Sequence, residues 1–362
     1  MEFVSNTLAS MANQNFFCSD GEAHKARIYI KIFKGGKFEY MLSYANTVDS
    51  TFADGSHSSC NKVLKSWDIL SLKVGKVNSC GIFDAAEPLN FTDVLFNTER
   101  KAIVPEGGKV TSDSFLFEAE KDEYMCIEIE YKGEEIPCHS EISVPAFIYD
   151  KGKWVSTDSI ELNMAKVPVP SFMGCKRNVN KKIAYLGDSI TQGIGAVKNS
   201  YLHWTAVLSE YLGDGNAYYN LGIGYARSSD AASDGAWLSK VKENDTVFIC
   251  LGVNDILRGG TKEGVSANLE KIVNILKKEG KNVIIQSVPP FDYPDYLIEI
   301  WDYINSYIEK RIAPLCDGYF DNRQVLSKSD EVHKTLYGGH PNNEGGKKWG
   351  KAIYEYVKTL EL

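Results

Sequence analysis

No stretch of the 362-residue chain approaches the ~18 uninterrupted apolar residues of a membrane-crossing helix, so no membrane partner is expected. The first twenty residues lack the basic start and the apolar core of about 7–15 residues that mark a secretory leader, which points to the cytoplasm. The eight cysteines include no Cys-x-x-Cys pair, and reduced, buried thiols are the expectation for them. There is no His-Glu-x-x-His, no cysteine-rich cluster and no phosphate-cradling Gly-Lys-Ser/Thr loop, so neither a metal nor any other cofactor is expected. A basic stripe is missing too, which argues against nucleic acid as a partner. Internal repeats and low-complexity tracts are absent.

What the chain does contain is an ordinary globular composition, 43% hydrophobic and 24% charged, at a length that suits two domains. The net charge of −8 is unevenly placed. Residues 1–170 carry 17 basic and 25 acidic side chains, whereas residues 171–362 carry 23 of each.

The two halves also differ in rhythm. Arg27–Phe33, Lys37–Tyr44, Ser114–Glu120 and Tyr124–Tyr131 are short apolar or alternating runs rich in aromatic and β-branched residues, separated by turn residues. They predict an N-terminal β-sandwich over residues 1–170. Val167-Pro168-Val169-Pro170 then reads as a stiff boundary, because proline cannot join a strand ladder. Beyond it strands alternate with helices. Apolar strands are expected at Lys182–Leu186, Ala217–Leu221, Thr246–Leu251 and Asn282–Val288. Helices are expected at Tyr201–Leu212, Ala231–Val241, Val265–Leu276 and Tyr296–Ile312, with a last one after Pro341. This pattern predicts an α/β domain over residues 171–362, its parallel sheet covered on both faces.

In such a sheet ligands sit at the carboxyl ends of the strands, where four blocks fall. Gly187-Asp188-Ser189 follows the first strand; Ser189 there is either a nucleophile or simply a helix N-cap. Asn220-Leu221-Gly222-Ile223-Gly224-Tyr225 follows the second. Gly252-Val253-Asn254-Asp255 follows the third, and Asn254 either aims its amide at a reacting centre or forms an Asx turn. Gly338-Gly339-His340-Pro341 precedes the last helix, and a loop histidine of near-neutral pKa suits a general base. His24, His57, His139, His203 and His333 lack this setting; His203, beside Trp204 on an apolar helix, is expected to be packed or hydrogen-bonded.

Ser, Gly, Asn and His blocks in this order make residues 181–362 resemble the SGNH (GDSL-type) hydrolase family. The resemblance implies a flavodoxin-like three-layer α/β/α domain, here preceded by a jelly-roll-like sandwich. It further implies a serine esterase with Ser189 as nucleophile and His340 as base. The oxyanion hole would be formed by the Ser189 amide, the Gly224 or Tyr225 amide and the Asn254 side chain. Two departures stand out. The family's Asn-x-x-x-x-Gly lands on Tyr225 rather than glycine. Its usual Asp three residues before the histidine is Tyr337, leaving a backbone carbonyl, Asp330 or Glu331 to orient His340.

A β-rich domain joined to such a hydrolase resembles two-domain carbohydrate esterases that remove acetyl groups, so an acetylated xylo- or manno-oligosaccharide is the expected substrate. Asp188, Trp237, Phe291 and Tyr293 are the substrate-binding candidates, with the Pro289–Pro294 loop as a wall of the site. A lipid or thioester hydrolase, or a non-catalytic carbohydrate-binding protein, are the competing readings. The N-terminal domain is expected either to lend a loop to the active site or to mediate a homo-oligomer.

Overall fold

The computed structural model describes residues 1–13, 15–18, 21–50, 58–139, 143–160 and 167–360. The chain divides into two compact units. The first comprises Met1–Asp49 and Asn61–Val179, and the second Ser50–Cys60 and Asn180–Leu362.

The first unit is built from two larger antiparallel sheets and a small strand pair. One sheet is ordered Glu2–Ser5, Phe172–Arg177, Gly36–Ala45, Lys109–Thr111, with Phe115–Ala119 also on the third strand. The other centres on Ala23–Lys31, Tyr124–Lys132 and Trp67–Val77. The strands expected at residues 27–33, 37–44, 114–120 and 124–131 are all present. The boundary expected at Pro170 comes one strand too early. Phe172–Arg177 pairs with Glu2–Ser5 and with Gly36–Ala45, so this strand completes the first unit. A single strand preceded by prolines carries no signal of which sheet it will join.

In the second unit five strands form one parallel sheet. We label them β1 (Lys182–Gly187), β2 (Ala217–Asn220), β3 (Thr246–Cys250), β4 (Asn282–Gln286) and β5 (Gly318–Phe320). Their spatial order is β2-β1-β3-β4-β5. Every residue of the central β3 is buried, so both of its faces are covered, as expected for a parallel sheet between helical layers. The helices that position the site are α1 (Ser189–Gln192), α2 (Trp204–Leu212), α3 (Ser228–Ala232), α4 (Ala236–Lys242), α5 (Val253–Leu257), α6 (Lys262–Lys278), α7 (Asp295–Tyr307), α8 (Arg323–Leu326) and α9 (Asn343–Val357). Helix α2 packs on α9, and α6 packs on α3 and α7.

One helical expectation changes. The single helix expected over Ala231–Val241 is two, α3 and α4, broken where Asp234 takes a left-handed φ of 59°. The last helix begins after Pro341, as expected, at Asn343. Asn342 is its cap, accepting the amides of Glu344 and Gly345. No helix among the described residues is long and apolar enough to cross a membrane.

Candidate active site

The strand order reverses at β1: the chain runs from β1 outward to β2, then returns to place β3 on the other side of β1. Loops leaving neighbouring strands at such a point diverge, and the crevice between them is where ligands bind in open α/β sheets. The turns after β1, β2 and β3 carry Ser189, Gly224–Tyr225 and Asn254.

In the turn after β1, Ser189 is not the helix cap. Asp188, not Ser189, caps α1, its Oδ1 accepting the Ile190 amide at 3.0 Å. Ser189 is therefore the first helical residue, and its Oγ lies 2.7 Å from Nε2 of His340, 151 residues away in the chain. Asp188 is 1% exposed and shielded within the fold. The expectation that it binds substrate is corrected, because its carboxyl is consumed by the cap. Burial, reinforced by the nearby Asp255 carboxylate, pushes its pKa up to about 7.

The second block is strapped to α1. Asn220 donates to the Thr191 carbonyl at 3.1 Å and accepts the Gly222 amide at 2.9 Å. A Cβ at residue 222 would lie 2.2 Å from the Gln192 nitrogen, so only glycine permits this approach. One residue on, the Ile223 amide is taken by the Gly187 carbonyl. Tyr225, standing where the resemblance leads one to expect glycine, adopts φ of 60°, in the left-handed region that favours glycine.

Asn254 lies in the first turn of α5, half-buried, and its Nδ2 donates to the Ala226 carbonyl at 3.2 Å. That bond runs across to the second block, so the side chain is not in an Asx turn. An amide nitrogen carries two hydrogens, and the Ala226 carbonyl takes one of them. Asp255, one residue on, is buried and accepts both the amide and the hydroxyl of Ser228. Loop and helix are thus tied at two points.

His340 sits in the turn before α9. The edge of Phe291 meets its ring at 5.3 Å between centroids and an interplanar angle of 79°. On the other side, a Cβ at Gly195 would lie 2.5 Å from the His340 carbonyl oxygen. Gly195 itself has φ of +98°, so this close contact with the histidine backbone needs glycine on both counts. Burial lowers the pKa of His340, and among the described residues no carboxylate acts on it.

The acids expected to orient His340 do not reach it. Asp330 is exposed and accepts the Ser329 hydroxyl, and Glu331 is exposed as well. Tyr337 accepts a hydrogen bond from Lys348 at 2.8 Å. Asp292 is turned to the Thr335 amide at 3.0 Å. Short charged loops give no sequence signal of which way they fold, which is why Asp330 and Glu331 were plausible. Phe291 packs on the ring, while the close approach of Gly195 to the His340 backbone leaves no sequence signal, since glycines carry no chemistry of their own.

Of the aromatic substrate-binding candidates, Phe291 packs against His340. Trp237 is fully buried and donates to the Leu221 carbonyl at 2.8 Å. Tyr293 is fully buried and its hydroxyl donates to the Pro289 carbonyl. Both are corrected to core residues, since large aromatics whose polar atom meets a backbone carbonyl are built for burial. His203 is buried with Nδ1 2.7 Å from the Thr205 hydroxyl, as expected of a packed histidine, and burial lowers its pKa to about 4. His57 lies outside the described residues. Among the described residues no cluster of three or more His, Cys, Asp or Glu side chains is placed to hold a metal ion.

Residues 185–348 match the profile of the GDSL-like lipase/acylhydrolase family. An arylesterase from Vibrio mimicus is 28% identical over 164 residues, covering 42% of this chain and 80% of the arylesterase. Solved structures of similar fold include a G-D-S-L family lipolytic protein from Desulfitobacterium hafniense, with 20% identity, a TM-score of 0.42, and coverage of 49% of this chain and 99% of that one. An acetylxylan esterase from Geobacillus stearothermophilus shows 19% identity and a TM-score of 0.40, covering 50% of this chain and 96% of its own. A carbohydrate acetylesterase from Sinorhizobium meliloti shows 20% identity and a TM-score of 0.36, covering 50% of this chain and 99% of its own.

Proposed function

We propose that this chain, whose residues 185–348 match the profile of the GDSL-like lipase/acylhydrolase family, is a carboxylic ester hydrolase that removes short acyl groups, acetyl foremost, from carbohydrate esters through a Ser189–His340 dyad. The observation that carries the reading is the 2.7 Å contact between Ser189 Oγ and His340 Nε2 at the carboxyl end of a parallel sheet.

The steps follow from that contact. His340 accepts the Ser189 proton as Oγ attacks the ester carbonyl, forming a tetrahedral oxyanion. Donors for that oxygen are the Ser189 amide, the Gly224 or Tyr225 amide, and the Asn254 amide hydrogen that Ala226 leaves over. His340 then protonates the departing alcohol, leaving an acyl-enzyme. A water that gives its proton to His340 attacks the acyl carbon and releases the acid. Phe291 packs on the ring of the base, and Gly195 closes on the His340 backbone.

The half-buried Phe291 ring against His340 supports a small acyl group and a ring-shaped alcohol. A second reading, an arylesterase, is favoured by the relative from Vibrio mimicus. The two separate in one set of assays. Acetate release from acetylated xylo- and manno-oligosaccharides is compared with hydrolysis of phenyl acetate, and a p-nitrophenyl ester series reports acyl length. Efficient deacetylation of the oligosaccharides supports the first reading. Activity confined to aryl esters supports the second, and a preference for long chains removes both in favour of a lipid or thioester hydrolase. Ser189→Ala is expected to abolish all of these activities while leaving the fold intact; a variant as active as the parent would exclude the serine mechanism, and a parent inactive on every ester would leave the binding-protein reading.

A further inference from the structure

Residues Ser50–Cys60 come from the N-terminal part of the sequence, yet they belong to the hydrolase unit. The described residues of this excursion have one clear target. Ser50 donates its hydroxyl to Oδ2 of Asp230 at 2.6 Å, across 180 residues of chain, and Ser58 donates to Oδ1 at 2.8 Å. Asp230 lies on α3 and is 4% exposed. Its Oδ2 also accepts the Arg227 amide at 3.4 Å. A buried carboxylate needs such donors, because an unmet charge in the interior is costly.

The grip on Asp230 falls on the segment that shapes the oxyanion hole. Arg227 follows Ala226, whose carbonyl accepts Nδ2 of Asn254, and Ala226 follows Tyr225 with its left-handed backbone. Ser228, one residue later, is held by Asp255. Residues 225–228 therefore hang between two buried carboxylates. One is tied to α5, and the other is tied to the excursion from the N-terminal sequence.

We propose that Asp230, clamped by Ser50 and Ser58, is a positioning residue for the oxyanion hole, setting the Tyr225–Ala226 backbone and through it the Asn254 amide. The inference rests on the esterase reading above. It makes the N-terminal sequence a contributor to catalytic alignment without touching the substrate. Misplacing donors by a fraction of an ångström lowers turnover far more than binding, since the oxyanion exists only in the transition state.

The test compares full-length parent, Ser50→Ala/Ser58→Ala, Ser58→Thr and Ser189→Ala on p-nitrophenyl acetate. Active sites are counted by mass spectrometry after complete reaction with an organophosphonate, so that unfolded molecules are excluded. The double variant is expected to lose about 10-fold to 100-fold in kcat per active site with KM changed by less than about twofold. Its inhibition by a boronic acid, a mimic of the tetrahedral oxyanion, should weaken by a similar factor. Ser58→Thr keeps the hydroxyl and should retain parental kcat. A double variant with parental kcat per active site, whatever its unfolding temperature, overturns the inference while leaving the esterase reading in place. A parent chain without Ser189-dependent esterase activity overturns both.

Discussion

On the proposed reading His340 is a base with no carboxylate acting on it among the described residues, and burial lowers its pKa. Its pKa lies below the ordinary histidine value of 6.5, so the ring is neutral and ready to accept a proton throughout the neutral range. We expect kcat/KM to be flat above pH 6.5 and to fall only below it. Phe291→Ala lets water reach the ring. The acid limb should then move up toward 6.5, and kcat should drop as the ring loses its edge contact; a pH–rate profile of both proteins checks this. Asn254→Ala removes one of three oxyanion donors and is expected to cost about 10²–10³ in kcat with little change in KM, measured by steady-state kinetics on p-nitrophenyl acetate. Tyr225→Gly relieves a left-handed backbone at a non-glycine residue. If the amide alone matters there, the variant should keep kcat, and its acyl-length preference should broaden as the ring is lost.

At the scale of elements, α1 is the unit that would present the proposed nucleophile Ser189, and its cap carries an unusual titration. Asp188 has its folded pKa raised to about 7 from an ordinary 3.8. The proton is thus bound more tightly in the folded chain. The stability this contributes is complete below pH 3.8 and is lost as the pH rises through 7. Asp188→Asn keeps an acceptor for the Ile190 amide but removes the charge. Its Tm should exceed the parent's by about 2–4 °C at pH 8.5 and should match or fall below it at pH 4, as read by thermal unfolding at the two pH values. His203 has the opposite sign. Its pKa of about 4 means that stability present above 6.5 is lost as pH falls through 4. Together the two buried groups narrow the range in which α1, α2 and the turns around them are most stable.

For the whole molecule, the uneven charge of the two halves has no counterpart in the site. All the residues of the dyad and its donors come from the electrically balanced half, and the acidic half supplies two serine hydroxyls instead. A fragment of residues 180–362 would leave Asp230 buried without either hydroxyl. We expect that fragment to unfold at a lower temperature than the full chain and to turn over p-nitrophenyl acetate more slowly per active site. A fragment with full activity would mean that the excursion is dispensable.

The alternation of apolar strands and amphipathic helices was legible because it reflects a periodicity that burial imposes on every residue of an element. The four blocks were legible because each closes a strand or precedes a helix, so the chain order alone brought Ser189, Asn254 and His340 to one edge of a sheet. The sequence by itself therefore determined the α/β architecture and which side chains could carry the chemistry. It did not determine which aromatics face the site. Trp237 and Phe291 look alike in a list of residues, and only packing tells a core ring from an active-site ring. Nor did it determine what orients His340, how Tyr225 takes a backbone suited to glycine, or that Ser50 and Ser58 meet Asp230. Those outcomes depend on contacts between residues far apart in the chain, and such contacts leave no local pattern. They arise only when the loops close over a common core.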